Sequence, residues 1–167
     1  MESQKTDRLE RLMDTYGTQI KRFCALQLKD AHLAEDAAQD VFVKAWKHLD
    51  SFRGDCNEKT WLIRIAVNTC RDYQRTGWFR FMDRKLTPDD LPEQSAPDAF
   101  PDGTVAAAVR ALPTQLRTVV LLHFYEGMTL QETAQAMDVS TATVKRRLQK
   151  ATDTLNRKLK GWYEDEE

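Results

Sequence analysis

Apolar residues recur three and four apart from early in the chain. Leu9, Leu12, Met13, Tyr16, Ile20, Phe23 and Leu26 share one side of a helical projection, which predicts a helix over roughly Asp7 to Lys29. The same period predicts helices over about Ala31 to Leu49 and Thr60 to Arg75. Between these two lies the polar, turn-forming run from Asp50 to Glu58. From Asp83 to Gly103 the period vanishes. The run DRKLTPDDLPEQSAPDAFPDG holds four of the five prolines and too few spaced apolar residues to bury a helix face, so an extended acidic linker is expected. Beyond it, Val105 to Leu112 is helical, and Pro113 opens a helix whose run Val119-Val120-Leu121-Leu122 continues towards Gly127 as a stop. Thr129-Leu130-Gln131-Glu132 has capping-box spacing and starts a short helix to about Met137. Asp138-Val139-Ser140 turns, and a last helix runs from about Thr141 to Lys160. The pattern predicts an all-α protein of two small helical domains, residues 1–80 and 105–167, joined by a flexible acidic linker over 81–104. The second domain is a helix-turn-helix, winged-helix-like but without strands.

Length and composition sharpen this without changing it. At 167 residues, 41% hydrophobic and 31% charged, the chain is a folded protein of one ordinary domain or two small ones, and a large multidomain enzyme is excluded. No stretch approaches the ~20 apolar residues of a membrane span, and Met1-Glu2-Ser3-Gln4-Lys5 lacks the apolar core of a secretory signal; a cytoplasmic protein without membrane insertion is expected. Cys24, Cys56 and Cys70 have no C-x-x-C spacing, and two of them fall in apolar-periodic segments as buried thiols would. His32, His48 and His123 are scattered. Glu35, Asp36 and Asp40 diverge around a helix without a third ligand, and no phosphate loop or nucleophile elbow occurs. No catalytic residue, metal site, cofactor or small-molecule substrate is therefore expected.

The formal net charge of −1 argues against a nucleic-acid role until its distribution is resolved. Residues 1–82 carry 14 basic and 12 acidic side chains, 83–103 carry 2 and 6, and 104–167 carry 9 and 8. Within Thr143 to Lys160, seven basic residues face the single acid Asp153. Projected as a helix, Val144, Leu148, Ala151, Leu155 and Leu159 form one apolar seam. Thr143, Arg146, Arg147, Lys150 and Arg157 lie opposite, flanked by Lys145, Gln149 and Lys158. A solvated basic face is the ordinary reading of such a run, but a short helix and tight turn directly before it match a DNA-reading helix. Arg146, Gln149 and Lys150 then suit base edges; Lys145, Arg147 and Arg157 suit phosphates. The third helix carries a second basic stripe, Arg64, Asn68, Arg71 and Arg75, opposite Leu62, Ile65, Ala66, Thr69, Cys70 and Tyr73. Phe52, Arg53 and Asn57 lie on its approach. Trp61 sits at its edge, where an aromatic either packs into the core or supports an unstacked base. On the second helix, Asp36, Gln39, Asp40 and Lys47 ring Val43, either as a wet face or as a docking surface.

These segments resemble the sigma-70 family of RNA polymerase sigma factors, in its extracytoplasmic-function (ECF) group. AEDAAQDVFVKAW, Ala34 to Trp46, is similar to the polymerase-binding helix; FRGDCNEKTWLIRIAVNTCRDYQR, Phe52 to Arg75, to the promoter-melting and minus-ten-reading segment; and Leu112 to Ala151 to the domain that reads the minus-thirty-five element. The resemblance implies a non-enzymatic factor that binds core RNA polymerase and directs promoter-specific initiation. It assigns Asp36, Gln39, Asp40, Val43 and Lys47 to the polymerase clamp. Phe52, Arg53, Asn57, Lys59, Trp61, Arg64, Asn68, Arg71 and Arg75 go to minus-ten DNA, with a flipped base received by the Phe52–Asn57 loop and Asn68. Thr141, Thr143, Lys145, Arg146, Arg147, Gln149 and Lys150 go to minus-thirty-five DNA. Ala142 stands where the family usually has Gly. The resemblance also implies an anti-sigma factor as partner, able to hold the chain at the inner face of the membrane. The alternative is a helix-turn-helix regulator acting without polymerase, which explains Thr129 to Lys160 but not the second basic stripe.

Overall fold

The computed structural model describes residues 2–75 and 103–166, and the expected linker over 81–104 falls almost wholly outside the described residues. The first part is three helices, α1 (Glu2–Leu28), α2 (Ala31–His48) and α3 (Glu58–Gln74). Their apolar stripes converge: Leu12, Ile20, Phe23, Leu62, Ile63 and Val41 are almost wholly buried, each large side chain contributing about 1.5–3 kcal/mol. Cys24 and Cys70 meet in the same core, as the sequence led one to expect, and the hydrogen bond with Cys24, followed by burial, pushes the Cys70 thiol up. Asp30 caps α2 by accepting from the amides of His32 and Leu33, and Asn57 caps α3 by accepting from that of Thr60.

The second part holds α4 (Gly103–Arg110), α5 (Thr114–Val120), α6 (Leu130–Met137) and α7 (Thr141–Glu166). No strand occurs among the described residues. Three boundaries differ from the sequence expectation. Pro113 caps α5 rather than beginning it, because its ψ of 149° keeps it extended while its carbonyl already accepts from the Arg117 amide. The helix then widens over Leu121–Tyr125 into a π turn, with the Glu126 amide donating to the Leu121 carbonyl five residues back. Gly127 follows at φ +67°, a left-handed turn suited to glycine. The capping box is present, Thr129 and Glu132 satisfying each other's backbone amides. Asp138, left-handed at φ 57°, ends α6, and α7 continues past Lys160 to Glu166.

The two parts pack directly, α3 against α6 and α1 against α5. The seam is polar and buried at one point. Arg117, 2% exposed, donates from Nη1 to the Leu112 carbonyl at 2.8 Å and from Nη2 to the Gln27 carbonyl of α1 at 2.8 Å. The Gln27 amide in turn donates to Thr118 Oγ1 at 2.7 Å.

Candidate nucleic-acid interface

Helix α3 separates its two faces as the period requires. Leu62, Ala66, Thr69 and Cys70 are buried and Ile65 and Tyr73 partly so, while Arg64, Asn68 and Arg75 are exposed and Arg71 half-buried. The exposed Arg64 makes no ion pair with a described acid; Arg75 has only a loose contact with Asp72 at 3.9 Å. Of the two roles weighed for Trp61, the structure shows the packing one: the ring is partly buried against the core and stacks on Phe52 with centroids 4.8 Å apart and planes at 29°. Periodicity carries no sign of what braces this loop. Arg8 of α1 lies over the Phe52 ring at 5.7 Å, and Lys5 sits over Trp46 at 4.6 Å while pairing with Asp50 at 3.2 Å. Arg53 and Gly54 at the loop tip are exposed, Gly54 at φ +80°.

Helix α7 behaves similarly. Val144 and Ala151 are fully buried, Leu148, Leu155 and Leu159 partly, and Thr141, Lys145, Arg146, Gln149 and Lys150 point into solvent. Ser140 opens the helix by accepting from the Thr143 amide at 3.1 Å, and the two hydroxyls bond at 2.9 Å, so Thr143 serves the helix start and is half-buried. Gln149 donates to Asp153 at 3.0 Å. Arg147 is half-buried, and its guanidinium is pulled down by burial and by the fields of Arg146 and of Arg71 across the seam. Like charges facing one another favour an anion between or beside them.

The seam itself takes in residues expected at the minus-ten strand. Glu132 Oε2 accepts from Asn57 Nδ2 and from Thr60 Oγ1, both at 3.0 Å, while its Oε1 accepts from the Thr129 amide at 3.1 Å. These bonds, the Thr129 amide first, hold the Glu132 carboxyl below its usual value. Lys59 donates to the Glu126 carbonyl and pairs with its carboxylate at 3.5 Å. Glu126 is nevertheless pushed up, because burial outweighs the attraction of Lys59. Glu126, Glu132, Gln27 and Arg117 were missed as seam residues. None of them carried a periodic signal, Arg117 standing between Leu116 and Thr118 just before the apolar run Val119–Leu122.

On α2, Asp36, Gln39, Asp40, Val43 and Lys47 are all exposed, Val43 at 51%. Tyr73 of α3 donates its hydroxyl to Asp40 at 2.5 Å, and burial, then this bond, raises its pKa. Beside Val43 an apolar groove of 810 Å³ runs between α1 and α2, floored by Leu9, Met13, Phe42 and Trp46. Among the described residues, no group of His, Cys, Asp or Glu is placed to hold a metal ion, and no helix is long and apolar enough to cross a membrane.

Among the described residues, an all-helical fold with a basic helix face in each part, the second within a helix-turn-helix, has the arrangement of a DNA-reading protein. Comparison with known proteins specifies it. The family model for sigma-70 region 2 matches residues 12–80, and that for sigma-70, region 4, matches residues 103–155. The RNA polymerase sigma-H factor of Pseudomonas aeruginosa is 31% identical over 144 residues, covering 78% of this chain and 75% of that one. The ECF RNA polymerase sigma-E factor of Escherichia coli K12 is 31% identical over 138 residues, covering 74% and 72%. The sigma factor RpoE of Bartonella quintana, solved in complex with the anti-sigma factor NepR, shares the fold with a TM-score of 0.72 at 22% identity, covering 90% of this chain and 96% of that one. The chain belongs to the ECF group of the sigma-70 family of RNA polymerase sigma factors. It is a non-enzymatic factor that directs RNA polymerase to promoters for transcription initiation, not a regulator acting without polymerase.

Proposed function

We propose the following division of labour within this sigma factor. Domain 1–80 docks on the polymerase clamp through Asp36, Gln39, Asp40, Val43 and Lys47 of α2. Exposed Val43 within a polar ring, beside the apolar groove, is the arrangement of a binding hot spot. The same domain holds the opened minus-ten strand. The Phe52–Asn57 loop and Asn68 receive an unstacked base against the Phe52–Trp61 pair, and Lys59, Arg64, Arg71 and Arg75 hold phosphates. Domain 105–167 reads the minus-thirty-five element through Arg146, Gln149 and Lys150, with Thr141, Thr143, Lys145 and Arg147 at the backbone. Residues 81–104 link the two, so that polymerase fixes their separation. The cytoplasm is the compartment where these partners meet. An anti-sigma factor is a fitting further partner, as for the Bartonella protein, and a membrane-borne one would hold the chain at the inner face of the membrane.

The observation that carries this reading is the pair of outward basic stripes on α3 and α7, each backed by a buried seam and each in its own domain. The test is run-off transcription with bacterial core polymerase and the Asn68→Ala chain. Promoter preference at the minus-ten positions is expected to change while polymerase affinity stays as in the wild type. Unaltered preference would remove Asn68 from the reading set.

A further inference from the structure

The loop proposed to receive an unstacked base is held from outside itself, by the first turns of α1. Its own ties are the Phe52 amide donating to the Leu49 carbonyl at 3.3 Å before the tip and the Asn57 cap after it. Helix α1 supplies three more. Lys5 donates to Asp50 at 3.2 Å and lies 4.6 Å from the Trp46 ring centroid, at the entry to the loop. Arg8, one turn on, lies 5.7 Å from the centroid of Phe52, the ring that also stacks on Trp61 at 4.8 Å. Arg11 approaches Glu58, the first residue of α3, at 4.0 Å, the loosest of the three. Residues spaced by three follow one side of a helix, so these cations meet the entry, the ring and the exit of the loop in order. Lys5 and Arg8 are half-buried while Arg11 is exposed, so the hold rests on the first two. Each contact is weak alone, but one helix carries them together, and its ordering is not repeated for each. All three residues precede residue 12, where the match to sigma-70 region 2 begins.

We infer that Lys5 and Arg8 are positioning residues for strand opening: from α1 they hold the Phe52–Asn57 loop in its base-receiving form before DNA arrives. Capture of a base must offset the cost of unstacking it, and with a loop ordered in advance none of the binding energy goes to ordering the loop. Neither cation has to touch the strand, since Lys5 is turned to Asp50 and Trp46 and Arg8 to Phe52. The inference rests on the minus-ten assignment proposed above and extends it to a helix that carries none of the assigned residues.

The test follows promoter opening by the full chain with bacterial core polymerase, read as permanganate reactivity of unpaired thymines. Arg8→Ala is expected to lower the equilibrium constant for opening about fivefold, the loss when the receptive form falls to about a fifth of the loop population. Discrimination between bases at the captured position, measured on promoters varied there, is expected to narrow with it. Arg8→Lys keeps a cation over the ring and is expected to restore most of both; Lys5→Ala is expected to act in the same direction as Arg8→Ala. Polymerase affinity and the urea midpoint of Arg8→Ala are expected to match the wild type. So is the salt dependence of single-strand binding by the polymerase-bound chain, whose slope a lost phosphate contact would lower by about 0.7. Wild-type opening in both alanine variants overturns the brace. A lowered salt slope with unaltered base discrimination also overturns it, making Arg8 a phosphate contact, and a lowered urea midpoint without rescue by Arg8→Lys reduces Arg8 to a stabiliser of the fold. Phe52→Ala separates the brace from the reading beneath it. If discrimination is lost in Phe52→Ala and kept in Arg8→Ala, the loop keeps its assigned role and the brace alone falls. If Phe52→Ala discriminates as the wild type does, the assignment of the loop falls and the brace with it.

Discussion

Arg117 illustrates how one residue can decide a domain arrangement. A guanidinium cannot be deprotonated inside a protein, so burying it demands acceptors, and here carbonyls at Leu112 and Gln27 answer at 2.8 Å, with Arg110 at 3.4 Å. Arg117→Ala withdraws the donor and leaves these carbonyls without it in the seam. We expect a loss of about 3 kcal/mol, read as a lower midpoint in urea denaturation of the full chain. Sequence inspection fails at such a position because a single charge among threonines and leucine carries no period. By contrast the exposed basic residues were legible, since residue type and spacing alone put Arg64, Arg146 and Lys150 on solvent faces.

At the scale of elements, amphipathic period and capping chemistry account for most of what was legible. The stripe of α3 and the seam of α7 have the residues expected, and Thr129 with Glu132 closes the capping box that their spacing implied. The π turn over Leu121–Tyr125 was not legible: a one-turn widening shifts the period by a single residue, and four consecutive apolar side chains hide that shift. Helix α7 bears a prediction of its own. Arg146→Ala and Lys150→Ala are each expected to cost about 1–3 kcal/mol on the minus-thirty-five element and little on scrambled duplex. Fluorescence anisotropy of the polymerase-bound chain on both duplexes checks this, and equal losses on the two would reassign these residues to phosphate.

For the molecule as a whole, two domains were legible but their closure was not. Asn57 and Glu132 lie 75 residues apart, and Glu132 already had a complete local explanation in its capping box. The seam carboxylates also set an acid response. The Glu132 pKa is lowered in the fold, so its contribution is present above the ordinary value of 4.5 and disappears as pH falls through the folded value. Glu126 is raised in the fold, so closure gains as pH falls from its folded value towards 4.5 and gains nothing further below. Stability against urea should therefore rise slightly on mild acidification and then drop, and Glu132→Gln should flatten the drop. Midpoints measured from about pH 6 to about pH 3 test this.

One carboxylate ties the starts of α3 and α6, so its removal loosens the start of a helix in each domain at once. The side chains proposed to read duplex, Arg146, Gln149 and Lys150 of α7, lie in solvent outside that tie.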